Sequence, residues 1–263
     1  MRPPRRPVRG LPLRAVAPNA VTALALCSGL SGVRFAISGE WQTAVAMVMV
    51  AGVLDGIDGR IARLLHGESR FGAELDSLSD AISFGVAPAL ILYLWSLSSL
   101  PRFGWVAALM LAVFCALRLA RFNAQIDAAE QPMKTAGFLT GVPAPAGAGL
   151  ALLPLMIWMW ADVPMLASPL VIAPWTAFVA LLMVSRVPTY SWASLRLRRS
   201  IRFEALAGVV LFGAALVSAP WQTLSLLALA YLVLMPFSAT SWARVKRLRA
   251  TVTPAAPAPP ASA

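Results

Sequence analysis

Eleven acidic residues occur in this 263-residue chain, and four of them, Asp55, Asp58, Asp76 and Asp80, fall in two neighbouring apolar stretches. A charged Asp at the centre of a membrane helix costs about 2.5–3.5 kcal/mol on insertion scales, so an intramembrane acid signals a function. Four near one another also repel. Asp55 and Asp58 are three apart and Asp76 and Asp80 four apart, so each pair shares a helix face. A short polar turn joins the two stretches, which must therefore run antiparallel. Asp55 lies eight residues before Arg63, and Asp80 eight after Gly72. At 1.5 Å per residue both sit about 12 Å in from the turn, with Asp58 and Asp76 shallower at about 6–8 Å. The spacing predicts four carboxylates converging in two layers. No His or Cys joins them, and an all-oxygen cluster suits a hard cation such as Mg²⁺, Mn²⁺ or Ca²⁺. Carboxylates with nearby arginines fit metal-assisted chemistry on a phosphate or pyrophosphate. Small residues line the same stretch: Gly52, Gly56, Gly59, Ala62, Gly72 and Ala73. At Gly52 and Gly56 helix packing competes with a ligand role. At Gly59 and Gly72 the expectation is close approach of a bulky ligand to the backbone.

The elements that must hold these acids are membrane helices. Hydrophobic residues make up 59% of the chain and charged residues 13%, against about 25% charged in soluble domains. Mean hydropathy is +0.74. A disordered chain and an ordinary soluble domain are both excluded. Eight apolar runs approach the roughly 20 residues needed to cross a bilayer: 19–37, 43–64, 75–97, 105–122, 141–160, 166–184, 205–218 and 224–242. The seventh is short and Pro220 follows it. The expected fold is an all-α, polytopic helix bundle of about eight transmembrane helices. Cys27 and Cys115 lie in apolar runs and imply neither a disulfide framework nor a metal site.

The net charge of +11 would suggest nucleic acid in a soluble protein. Here the basic residues sit between apolar runs, so they read as orientation signals and attraction to anionic lipid, with no nucleic-acid partner. Arg2 to Arg14, Arg60, Arg63 and Arg70, Arg118, Arg121 and Lys134, Arg186 to Arg202, and Arg244 to Arg249 all fall on one face if there are eight spans. Only Arg34 and Arg102 do not. The positive-inside rule makes that face cytoplasmic, with both termini inside. Trp41, Trp95, Trp105, Trp158, Trp160 and Trp221 then form a belt near the opposite face. The first run is too long for a signal peptide and shows no convincing cleavage site, so it is expected to stay in the protein. Residues 1–17 read as a basic arm, and 251–263, rich in Pro and Ala, as a disordered tail.

The acids belong to a longer pattern, D-x2-D-G-x2-A-R-x8-G-x3-D-x3-D, carried by Asp55, Asp58, Gly59, Ala62, Arg63, Gly72, Asp76 and Asp80. This resembles the signature of the CDP-alcohol phosphotransferase family at all eight positions. Chance agreement is on the order of 10⁻¹⁰ from background usage. The resemblance implies a membrane enzyme with a six-helix core, usually dimeric, that transfers a substituted phosphate from a CDP-linked donor to an alcohol and releases CMP. It implies divalent metal, Mg²⁺ or Mn²⁺, on Asp55, Asp58 and Asp76. It implies a general base at Asp80, which also belongs to the expected metal set. Asp55, Gly59, Ala62, Arg63 and Gly72 match positions around the CDP moiety. PNAVT at 18–22 resembles the first-helix motif that reaches the nucleotide, through Asn19 and Thr22.

The flanks narrow the branch. FGAELDSLSDAISFGVAPA at 71–89, RLARFN at 118–123 and FLTGVPAPAGAG at 138–149 together resemble bacterial and archaeal phosphatidylserine synthases of this family. Phosphatidylglycerophosphate synthases typically carry Lys after the last Asp, where this chain has Ala81. The resemblance covers about 18–150. It implies a core over 18–187 and an addition of a basic loop and two helices over 188–250. The implied substrates are CDP-diacylglycerol and L-serine, with membrane lipids around a homodimer. Of Arg118 and Arg121, one is expected to meet a phosphate and the other the serine carboxylate. The competing reading is topology anchoring, weaker for Arg121 because it lies in the matched ARFN stretch. Asn123 and Ser83 are candidate hydrogen-bonding groups. Lys134, His66, Glu68, Asp127 and Glu130 read as loop or turn residues, and Arg34 as a snorkelling interface residue.

The main expectation is thus transfer of a phosphatidyl group to L-serine. A second keeps the chemistry with choline, glycerol phosphate or inositol phosphate as acceptor. A third, an ion-coupled transporter, requires acids near the midplane and paired halves with broken helices. The sequence instead puts all four acids towards one face and has no paired halves.

Overall fold

The computed structural model describes residues 13–65, 67, 69–126, 138–185, 187–190 and 202–252. Expectations for His66, Glu68, Asp127, Glu130, Lys134, Arg186, Arg196, Arg198, Arg199, most of the basic arm and nearly all of the tail lie outside the described residues. Every apolar run is helical. α1 (Leu13–Ile37) and α2 (Trp41–Leu65) form an antiparallel hairpin through Gly39, whose φ is +77°. Then come α3 (Arg70–Asp80), a π-helical turn (Ala81–Val86), α4 (Ala87–Trp95) and α5 (Phe103–Ile126). α6 (Ala144–Ala151), α7 (Leu153–Ala161) and α8 (Pro169–Val184) follow, and α9 (Arg202–Ser218) and α10 (Pro220–Val252) close the chain.

Among the described residues, four segments are long and apolar enough to cross a membrane: Val16–Ile37, Arg70–Trp95, Phe103–Ala124 and Pro220–Ser238. The α6–α7 pair, bent by 41°, makes a fifth if taken as one span. Of the eight apolar runs, four or five among the described residues thus pass as crossings on length and hydropathy alone. Polar Asp55, Asp58, Arg60 and Arg63 dilute α2, and α8 and the apolar part of α9 are short.

The irregularities have local causes. Pro88 has no N–H for the carbonyl of Phe84, and the chain widens into a π turn, with the Ala87 N–H on the carbonyl of Ile82. Pro154 likewise deprives the carbonyl of Leu150 at the α6–α7 bend, and the indole Nε1 of Trp175 donates to that carbonyl at 2.9 Å. Hydroxyls stitch α1 to its neighbours: Ser28 donates to the Met47 carbonyl at 2.8 Å and Ser79 to the Thr22 carbonyl at 3.3 Å. The core, around Val45, Val48, Phe84, Ile91, Leu111, Leu155 and Met183, lies between α2, the π turn, α4, α5 and α6 to α8. α9 packs on α10, which packs on α6, α7 and the β2 strand described next.

The all-α fold carries one short ribbon. Phe138–Thr140 (β1) pairs antiparallel with Pro188–Tyr190 (β2), Leu139 opposite Thr189. Gly141 ends this ribbon at φ +73°, its N–H on the Val187 carbonyl at 2.9 Å. A Cβ there would stand 2.8 Å from the carbonyl oxygens of both Met183 and Ser185. We expect Gly141→Ala to cost about 1–3 kcal/mol, from left-handed strain plus overpacking. A lowered thermal unfolding midpoint in detergent would register it, and an unchanged midpoint would show that the loop repacks freely.

Candidate active site

Three carboxylates meet. Asp55 from α2 and Asp76 and Asp80 from α3 each offer an oxygen within 4.8 Å of the others, all three half-buried. Four residues of α-helix turn through 400°, so Asp76 and Asp80 stay nearly aligned. Three residues turn through 300°, which swings Asp58 about 60° away from Asp55. Asp58 accordingly leaves the trio and faces α1. It is 5% exposed, and its Oδ2 accepts the Thr22 hydroxyl at 2.7 Å. The expected two layers of two are therefore a trio with one neighbour.

The trio borders a cleft of about 280 Å³ through Asp76. Asn19 and Thr22 of α1, Asp58, Gly59, Ala62 and Arg63 of α2, and Gly72 of α3 line it. Ser69 starts α3 as its N-cap, its Oγ accepting from the Gly72 N–H at 3.0 Å. The Gly67 N–H closes α2 onto the Ala62 carbonyl at 3.0 Å. These two caps hold the interhelical turn at the cleft's mouth.

The two glycines differ. A Cβ on Gly59 would meet nothing within 4 Å, so this backbone faces open cleft. A Cβ on Gly72 would stand 2.8 Å from Oδ1 of Asn19, so what approaches Gly72 is the chain's own carboxamide. Gly52 packs on the Phe84 ring, while Gly56 meets no neighbour.

The two arginines exchange their expected standing. Arg121 donates from Nη1 to the Val184 carbonyl at 2.9 Å and from Nη2 to the Ser185 carbonyl at 3.3 Å. It caps the C-terminal end of α8, a favourable place for a cation. Arg118, one turn deeper, is 9% exposed, and its Nε has no hydrogen-bond partner among the described residues. Asp80 is among its electrostatic neighbours. A buried guanidinium with an unsatisfied donor is costly unless an anion joins it. Asn123 donates to the Ser77 hydroxyl at 2.8 Å, which ties α5 to α3. Ser83 is fully buried and donates to the Ala25 carbonyl at 3.4 Å, a contact between helices away from the cleft. The spacing of these residues carries no sign of which would be spent on packing.

An all-oxygen trio within 4.8 Å fits a hard cation, whose ligands at 2.0–2.6 Å span about that distance. Oxygen donors alone do not choose between Mg²⁺ and Mn²⁺.

Known proteins are similar to this chain. Residues 15–181 match the family described as CDP-alcohol phosphatidyltransferase, and residues 201–236 match CDP-alcohol phosphatidyltransferase 2. The chain is similar to the CDP-diacylglycerol–serine O-phosphatidyltransferase of Mycobacterium leprae, with 39% identity over 223 residues, covering 85% of this chain and 74% of that protein. The enzyme of that name from Mycobacterium bovis is 39% identical over 240 residues, covering 89% and 81%. That from Helicobacter pylori strain 26695 is 38% identical over 140 residues, covering 53% and 57%.

Proposed function

Because this chain belongs to the CDP-alcohol phosphatidyltransferase family, we propose that it transfers the phosphatidyl group of CDP-diacylglycerol to L-serine, giving phosphatidylserine and CMP. The observation that carries this reading is the carboxylate trio at the edge of a cleft lined by the Asn19, Thr22, Gly59, Ala62, Arg63 and Gly72 motif positions. Relatives that act on CDP-diacylglycerol and serine align over most of the chain and favour serine as the acceptor.

In this reading the cleft takes the CDP moiety, with Asn19 and Thr22 on one wall and Gly59, Ala62, Arg63 and Gly72 on the other. Asp55, Asp76 and Asp80, with Asp58 beside them, would hold the divalent metal, Mg²⁺ or Mn²⁺. Bound there, the metal would neutralise the pyrophosphate and stabilise the charge on departing CMP. Asp80 accepts the proton of the serine hydroxyl. The serine oxygen bonds to the phosphatidyl phosphorus as the phosphorus–oxygen bond to CMP breaks. Arg118 binds the serine carboxylate. Arg121, Asn123 and Ser83 act on the fold around the site.

The chain is an integral membrane protein. The proposed arrangement has eight crossings, a core over 18–187, an addition over 188–250, both termini and the site on the cytoplasmic face, and a homodimer. The positive charge between alternate runs supports the orientation, and the separate matches over 15–181 and 201–236 support the division.

The test is CMP release from CDP-diacylglycerol by detergent-purified protein, with L-serine set against choline, glycerol 3-phosphate and inositol phosphate. Release that needs both L-serine and a divalent metal is the expected result. Release with another alcohol alone would keep the chemistry and overturn the acceptor.

A further inference from the structure

Asp76 and Asp80 reach the trio from a helix that does not run on regularly. α3 ends at Asp80, and the π turn Ala81–Val86 leads directly into α4. In an unbroken α-helix, residues eleven apart turn through about 1,100°, three turns and some 20°, so Asp80 would share a face with Ile91. Ile91 is fully buried in the apolar core. A π turn admits one extra residue, which rolls α3 by about 100° against α4. Ile91 can then face the core while Asp80 stays with Asp55, their carboxylate oxygens within 4.8 Å. Two helices close on this turn. On α1, a Cβ at Gly29 would stand 2.5 Å from Oγ of Ser83 and 2.8 Å from its Cα. The buried Ser83 hydroxyl donates to the Ala25 carbonyl of the same helix at 3.4 Å. On α5, the neighbour is Cys115: a Cβ at Gly85 would stand 2.9 Å from its Cβ and 3.4 Å from the Ala112 carbonyl oxygen. Each contact depends on one glycine, and neither glycine is among the residues lining the cleft. Glycines commonly serve close helix packing; here the packed element is the widened turn that follows two of the three carboxylates.

We propose that the clamped π turn is the positioning device of the carboxylate trio: Gly29 and Gly85 are positioning residues that fix the roll of α3 and so keep Asp76 and Asp80 on Asp55. They act through the turn, without lining the cleft themselves. The proposal rests on the metal reading of the trio given above.

The experiment follows the unfolding midpoint of chelator-treated, full-length protein in detergent as Mn²⁺ is added, because a cation that binds only the folded site raises it. CMP release is measured alongside. Gly85→Ala pushes the turn off Cys115. Its half-point for Mn²⁺ is expected to move up about 10–100-fold, the usual loss when a residue supporting a metal's ligands is changed. Adding Cys115→Gly removes the colliding atom and should return the half-point to within about threefold of wild type, the signature of two coupled positions. CMP release should fall and recover with it. Gly32→Ala is the comparison: its Cβ would stand 2.9 Å from the Ala44 carbonyl oxygen in the α1–α2 hairpin, similarly crowded but away from the turn. It should lower the metal-free midpoint and leave the half-point unmoved. An unmoved half-point in folded Gly85→Ala overturns the proposal. So does a shift that Cys115→Gly fails to reverse, or one that Gly32→Ala shares, which would mark a general loosening of the bundle. Where Gly85→Ala yields no folded protein, Pro88→Ala decides. It adds no bulk, supplies the N–H that the Phe84 carbonyl lacks, and lets the turn close towards α geometry. The same upward shift is expected, and a wild-type half-point overturns the proposal. A wild-type midpoint indifferent to Mn²⁺ removes the metal reading and this proposal with it, whereas a responsive wild type with unmoved variants removes the positioning role alone.

Discussion

Asp80→Asn should lower CMP release by about 10²–10⁴-fold, the range that a positioned general base contributes. Asn keeps the shape of the side chain and removes its charge and basicity. The structure makes this substitution unusually informative, because Asp80 lies within a trio of carboxylates whose oxygens are within 4.8 Å of one another. Removing one of three like charges relieves repulsion, so the metal-free variant should unfold at a temperature no lower than wild type. A large loss of turnover with retained or raised stability separates chemistry from folding. The remaining ambiguity is between a base and a metal ligand. Metal titration resolves it. If excess Mn²⁺ restores the rate of Asp80→Asn, the residue works by holding metal and the base role falls. If the rate stays low at every metal concentration while CDP-diacylglycerol still binds, Asp80 acts on the acceptor proton.

The position of this residue was legible because carboxylates in apolar helices are conspicuous, and helical spacing says which share a face. That logic brought Asp55, Asp76 and Asp80 to one place. It grouped Asp58 with them, and the 60° offset of an i,i+3 pair turns that side chain to the Thr22 hydroxyl on α1. The same limit governs the arginines. Arg118 and Arg121 lie on one side of α5 with similar local sequence, and only the arrival of α8 decides between them. Its terminal carbonyls take Arg121 and leave Arg118 buried with an unsatisfied donor. No local pattern encodes that, because α8 follows some sixty residues later.

Gly72 and Gly141 show a second kind of limit. Gly141 requires the absence of a side chain, whereas a Cβ at Gly72 would have to push a neighbouring side chain aside. What fills the space is a tertiary matter: the Asn19 carboxamide in one case and the carbonyls ending α8 in the other. The β1–β2 ribbon is three residues on each strand, too short for alternation to stand out from its apolar surroundings. Length alone was the weakest guide to the fold. α2 carries the chemistry and is polar for that reason, so the helix central to the site is absent from the segments apolar enough to span.

Withdrawal of divalent metal should abolish CMP release, and restoring Mn²⁺ or Mg²⁺ should recover it. The argument rests on charge. Three carboxylates converge in a half-buried site, and the substrate brings a pyrophosphate to the same cleft. Without a cation, like charges face one another where solvent screens them poorly. The protein alone supplies few positive groups there: Arg63 lines the cleft, and Arg118 neighbours Asp80. The same reasoning predicts an effect without substrate. A cation that binds only the folded site raises stability by RT ln(1 + [M]/Kd), about 2.7 kcal/mol at one hundred times Kd. The unfolding midpoint of chelator-treated protein should therefore rise with added Mn²⁺. Asp55→Asn should shift that rise to higher metal concentration, since it removes one oxygen donor from the trio. Full CMP release in chelator, or a midpoint indifferent to metal, would mean that the trio is held by the fold for a purpose other than metal binding. A midpoint that responds in wild type and equally in Asp55→Asn would place the cation elsewhere. The two readouts together test the site as a site, because one needs the whole reaction and the other only the three side chains.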